Sequence, residues 1–211
     1  LNNSNIVSAG GLVGTNTGLI AQSYSAVKVY ATNIAGGLVG TNAAGGTIFD
    51  SVVWDKTGGY NQTIEGTTGA AGITYVGGLA GVNEYGGTIS RSYTGGLIRV
   101  SGTNSAAGSF VGKNAGSIDQ AYANNRLDWK FNKTANLAGF VWENTPTGTI
   151  TNAYTTALYS KANDKSPDWV AGFVYKNAGT IRNAYTTTYS PNTTVATRYG
   201  FVNENTGIIT N

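Results

Sequence analysis

The sequence predicts an all-β chain wound as a parallel β-helix of about seven coils, and three observations predict it. One short phrase recurs seven times: "GGLVGTNTGLIAQSY" from Gly10, "GGLVGTNAAGGTIFDSV" from Gly36, "GGLAGVNEYGGTISRSY" from Gly77, "GSFVGKNAGSIDQAY" from Gly108, "AGFVWENTPTGTITNAY" from Ala138, "AGFVYKNAGTIRNAY" from Ala171 and "YGFVNENTGIITN" from Tyr199. Indexed on Leu12, Leu38, Leu79, Phe110, Phe140, Phe173 and Phe201, the repeats lie 26, 41, 31, 30, 33 and 28 residues apart. One supersecondary unit with a variable connector marks a solenoid. Many Thr, Val, Ile and Tyr residues favour strands, and frequent Gly and Asn favour turns. No window places apolar residues at helical spacing over three turns.

Each repeat splits into three short β segments. The first is "GLVG-x-N" and the second "G-[TS]-I-x-x-[SA]-Y". The third is more variable: "AVKVY" at Ala26, "LIRV" at Leu97, "LDWKF" at Leu127 and "ALYS" at Ala157. A single coil cannot bury its own apolar side chains, so coils stack at the inter-strand distance of about 4.8 Å. Equivalent residues then stand above one another. The Leu/Phe index column should point inward, together with Ile20, Ile48, Ile89, Ile118, Ile150, Ile181 and Ile209. Asn16, Asn42, Asn83, Asn114, Asn144, Asn177 and Asn205 should form a stacked amide ladder at a turn. The glycines at 18, 46, 87, 116, 148, 179 and 207 are expected to adopt positive φ there.

Two further columns test the register. Thr15, Thr41, Val82, Lys113, Glu143, Lys176 and Glu204 end in alternating charge, as an outward column needs where like charges would repel. Tyr24, Val52, Tyr93, Tyr122, Tyr154 and Tyr185 form a mostly aromatic column that reads as a packing ladder. Between Val52 and Gly77 the connector is too long for one plain rung. A loop excursion is expected near residues 55–72, perched over one face as a hairpin or lid, with an extra degenerate rung as the other explanation. The whole chain, 1–211, reads as a single repeat domain and a fragment of a longer array.

Composition narrows the function. A chain that is 40% hydrophobic and only 11% charged is too apolar and too regular for disorder. Its net charge of +3 is too weak and scattered for an electrostatic nucleic-acid footprint, so no nucleic-acid partner is expected. No apolar run approaches the ~18 residues of a membrane helix, so no membrane insertion by this segment is expected. The chain has no Cys, which rules out disulfides and thiolate metal sites.

The phrase "GGLVGTN…GTI…SY" resembles the GLUG repeat, named for Gly-Leu-aliphatic-Gly. The match is good at Gly11-Leu12-Val13-Gly14, Gly37-Leu38-Val39-Gly40 and Gly78-Leu79-Ala80-Gly81. It relaxes at Ser109-Phe110-Val111-Gly112, and the second Gly then gives way to Trp142, Tyr175 and Asn203. The resemblance implies a right-handed parallel β-helix from a large bacterial exoprotein, similar to two-partner-secretion adhesins of the filamentous-haemagglutinin or high-molecular-weight-adhesin kind. The implied setting is the cell surface or the medium. The implied partners are a host-cell or bacterial surface glycan or protein receptor, besides neighbouring repeats of the same polypeptide. It carries no catalytic residues to transfer, and no cofactor.

The residues themselves point the same way. Among ten carboxylates, Glu143 and Glu204 share one column with Lys176 between them, which suits a salt-bridged ladder better than an acid–base pair. No His is present to serve as a base. A polysaccharide-degrading β-helix enzyme is therefore the remote alternative. A carbohydrate-binding module is the nearer one. Trp142 and Tyr175 should stack on adjacent rungs, while Trp129 and Trp169 each follow an acid, Asp128 and Asp168. Aromatic faces beside carboxylate acceptors suit a sugar. Packing of these rings is the competing reading, and strict alternation from Phe140 would turn Trp142 inward. Four Asn-x-Ser/Thr sequons, at Asn2, Asn61, Asn132 and Asn192, offer possible glycosylation sites.

Overall fold

The computed structural model describes residues 6–54, 63–66, 74–101, 105–129, 135–161, 169–188 and 197–211. They form a parallel β-solenoid, with no helix among the described residues. The first sheet runs Ser8–Gly10, Ile34–Gly36, Thr74–Gly77, Ser105–Gly108, Ala135–Ala138, Trp169–Ala171 and Thr197–Tyr199. After a two-residue corner, the second runs Val13–Asn16, Val39–Asn42, Ala80–Asn83, Val111–Asn114, Val141–Asn144, Val174–Asn177 and Val202–Asn205. The third side is longer and bent; in the fourth rung it is one strand, Ser117–Trp129. Seven rungs contribute to the first two sheets. Described strands complete the far end of the third side in five of them, at Val29–Ala31, Thr63–Gly66, Leu97–Val100, Arg126–Trp129 and Leu158–Lys161.

Thr63–Gly66 belongs to the connector expected to leave the solenoid. It pairs with Val29–Ala31 on one side and Leu97–Val100 on the other, so it is the third-side strand of the second rung. Residues 55–62 and 67–72 of that excursion lie outside the described residues.

The predicted columns stand in register. Ile20, Ile48, Ile89, Ile118, Ile150, Ile181 and Ile209 are successive Cα partners. So are the seven asparagines and the charge column that ends Lys113, Glu143, Lys176, Glu204. Leu38, Leu79, Phe110, Phe140 and Phe173 are fully buried where the first sheet meets the second. Along this corner the Phe rings stack at 4.9, 4.8 and 4.7 Å, which continues the core from rung to rung. Hydroxyls tie the third side to that corner: buried Ser25 donates to the Gly37 carbonyl at 2.7 Å and buried Thr155 to Gly139 at 2.6 Å, and half-buried Thr186 donates to Gly172 at 2.8 Å.

The turn glycines need correction. Positive φ among the described glycines occurs at Gly45, Gly86 and Gly96, and at none of positions 18, 46, 87, 116, 148, 179 or 207. Steric crowding accounts for the inner members of that column. A Cβ on Gly148 would lie 2.3 Å from Asn144 Oδ1 and 2.6 Å from the Asn114 carbonyl. The glycine lets the backbone close against the amide ladder.

The left-handed conformation sits elsewhere, two residues after each of the first six Ile of the column; Ile209, at the open end, is exposed rather than inward. Gln22, Asp50, Arg91, Gln120, Asn152 and Asn183 have φ between 48 and 51°. This bend ends a strand at Ala21, Phe49 and Ser90 in the first three rungs, while in the next three the strand continues through it. Asn and Asp tolerate the conformation; Gln and Arg are held in it against roughly 1–2 kcal/mol each.

Candidate functional site

The structure divides the sequence-predicted site residues among different faces. Phe140 and Val141 both enter the main core because the chain turns there. Trp142 therefore does not follow Phe140 inward. It forms a separate cluster with Tyr175, Ala106, Ala138 and Ala171, beside Tyr75. Trp142 and Tyr175 stack as expected, at 5.5 Å and 9°, but they are only 5% and 4% exposed. Each ring covers the other and the alanines cover the rest, so this pair does not offer a flat sugar platform.

Charged groups fasten the same corner. Tyr75 stands edge-on to Trp142 at 5.8 Å and donates its hydroxyl to Glu143 Oε2 at 3.1 Å. Lys113 lies 3.6 Å from Glu143 and Lys176 lies 3.6 Å from Glu204. Their ammonium groups also sit over aromatic rings, Lys113 at 5.5 Å from Tyr75 and Lys176 at 5.7 Å from Trp142. Burial pushes the Tyr75 hydroxyl up to about 12, helped by the Glu143 charge and their hydrogen bond. The arrangement locks rungs together; it holds its proton rather than exchanging it near neutrality.

Of each acid–aromatic pair, one side chain is described. Asp128 is 3% exposed on the third side, and its carboxylate accepts from Arg126 Nε at 2.8 Å with Arg99 at 3.7 Å. It is occupied by ion pairing rather than presented to a ligand. Trp169 is exposed, but it lies on the first sheet opposite Asn136. The Trp129 side chain, Asp168 and the sequon residues Asn2, Asn61, Asn132 and Asn192 lie outside the described residues. No cluster of three or more potential metal ligands occurs among the described residues.

The tyrosine column is more open than a packing ladder requires. Tyr24, Tyr93 and Tyr185 are exposed, and Tyr122 and Tyr154 are half-buried. Tyr122 stacks on Tyr154 at 4.4 Å, and Tyr154 on Tyr185 at 5.0 Å. The left-handed column runs alongside and presents polar side chains. Asn183 donates to Asn152 at 3.1 Å, Asn152 to Asp119 at 2.8 Å, and Arg91 makes two 2.8 Å bonds to Asp50. Sequence reasoning passed over these residues as variable positions. Asp50, Asn152 and Asn183 at one register position, just before a small Ser or Ala, were the available signal.

No protein-family model, curated protein or solved structure matches the chain.

Proposed function

We propose that this solenoid is a rigid structural and adhesive segment of a bacterial surface or secreted protein, a stalk that helps attachment to host cells, other bacteria or matrix. The observation that carries the reading is the continuity of the ladders. Side-chain amides bond from rung to rung through all seven rungs, core Phe rings stack through the last four, and outward charges pair across rungs in the same four. Such stacking yields a stiff rod whose stability is carried by contacts between neighbouring repeats. A rod of this kind suits spacing and presentation, and the resemblance to GLUG-containing adhesins supports a surface setting.

The test is direct. Antibodies raised to this segment should label intact, unpermeabilised bacteria that carry the gene, or recover the protein from their medium. Deleting the segment in frame should reduce adhesion to epithelial cells or biofilm formation. Labelling only after permeabilisation, together with unchanged adhesion, would sink the proposal.

A further inference from the structure

The exposed tyrosine column has a break, and the break has the form of a binding site. Tyr93 and Tyr122 are Cα partners on adjacent rungs. Above them the rings stack, Tyr122 on Tyr154 and Tyr154 on Tyr185. Tyr93 does not join. Its ring stands edge-on to Trp54, with centroids 6.1 Å apart and planes at 66°. Trp54 can sit there because residue 95 is glycine: a Cβ at Gly95 would meet the indole at 2.2 Å. Among the described residues, no ring stacks on the face of half-buried Tyr122 that its neighbour would have covered.

A cleft of about 450 Å³ runs beside this break across three rungs, between the tyrosine column and the left-handed column, lined by Arg91, Tyr93, Gln120, Tyr122, Asn152 and Tyr154. Stacked rungs are about 4.8 Å apart, so one missing ring leaves room for one flat ring laid on Tyr122. The polar groups around it are matched in kind. Gln120 is exposed, and its amide holds no hydrogen bond among the described residues. The guanidinium of Arg91 is fixed by two bonds to Asp50 and lies 4.6 Å from the Phe49 ring centre, so its charge is already neutralised. Asn152 is likewise tied to Asp119. The cleft thus offers an aromatic face, a free amide, a phenol and an immobilised donor, without an uncompensated charge.

We propose that this cleft binds a neutral pyranose of a glycan chain. The sugar's apolar face lies on Tyr122, and its hydroxyls bond the Gln120 amide, the Tyr93 hydroxyl and the unengaged edge of Arg91. Aromatic stacking with a few convergent polar groups is the chemistry such rings require. Paired charges disfavour a phosphate or a carboxylate as the main determinant. The site goes beyond the stalk reading and does not depend on where the protein resides.

The test titrates protein carrying ring-labelled tyrosine with methyl pyranosides of glucose, galactose, mannose and N-acetylglucosamine and with their disaccharides, followed by NMR. At least one sugar should shift the Tyr93 and Tyr122 signals saturably and leave Tyr185 unmoved. Tyr122→Ala should weaken that binding roughly tenfold. Gln120→Gly should weaken it several-fold, because it removes the amide at a left-handed position where glycine is at ease. Circular dichroism establishes that both variants are folded; if Tyr122→Ala is not, Gln120→Gly decides alone. Absence of any saturable shift overturns the proposal. So does binding that survives both substitutions, or binding of phenol or indole with none of any sugar.

Discussion

Asn83 donates its side-chain amide to Oδ1 of Asn114 at 2.8 Å, and the same bond recurs along the whole column. Six such bonds of 2.7 to 2.9 Å link Asn16 to Asn205 through every intervening rung. Each buried amide also reaches backbone carbonyls at its own turn, as Asn42 does to Gly46 at 3.1 Å. The ladder therefore satisfies the turn and fastens the stack at once.

Removing an inner member should be costly. Asn114→Ala strips the donor from Asn144 Oδ1 and the acceptor from Asn83 Nδ2, both in buried residues. The expected loss is about 1–3 kcal/mol, read as a lower urea midpoint. Asn205→Ala breaks only the exposed end of the column and should lose under about 1 kcal/mol.

Two glycines of one column should answer differently to the same change. Gly148→Ala forces a methyl against Asn144 and the Asn114 carbonyl, so it should destabilise by about 1–3 kcal/mol. Gly18→Ala meets nothing within 4 Å and should stay within about 0.5 kcal/mol of wild type. Thermal or urea melts of the pair separate crowding from backbone freedom, since neither glycine has positive φ.

The charge column predicts a salt-dependent effect. Lys176→Glu would place three carboxylates on successive rungs, at 143, 176 and 204. These positions are partly exposed, so the loss should be about 1 kcal/mol or less and should shrink in high salt. A loss unchanged by salt would mean that the close contact of the Lys176 ammonium with the Trp142 ring, rather than the exposed charge column, is what matters.

Tyr75 makes the stability depend on pH at the alkaline end. Its folded hydroxyl holds the proton to about 12, whereas an unfolded tyrosine releases it near 10. Between those values the unfolded chain binds fewer protons, so stability falls as pH rises through the window and is fully present below it. Tyr159, buried and donating to the Ala171 carbonyl at 2.6 Å, is also raised by burial and adds to the slope. Urea melts from pH 9 to 12 should show a shallower fall for Tyr75→Phe than for wild type, with the Tyr159 part remaining.

Much of this was legible because stacking converts sequence recurrence into space. Where a residue type repeats at one register position, as with Ile118 and Asn114, its neighbours above and below follow from the period alone. Backbone conformation was less legible. The turn glycines and the left-handed bend are both short-range features, and the six bend residues are four different amino acids, which hides the column. The burial of Trp142 depended on a corner whose angle is set by the packing of Phe140 and Val141 together. The break at Tyr93 depended on Trp54, far from it in sequence, settling over Gly95.

The central claim is a rigid stack of seven rungs in the register described. Because the chain has no Cys, spin labels can be placed uniquely at Thr15→Cys and Glu204→Cys, the first and last members of one column. Six rung steps at about 4.8 Å put their backbones roughly 29 Å apart. Double electron–electron resonance should return a narrow distribution near that distance, shortened by about one rung spacing when the first label moves to Thr41→Cys. A broad distribution, or a distance indifferent to that move, would contradict the account.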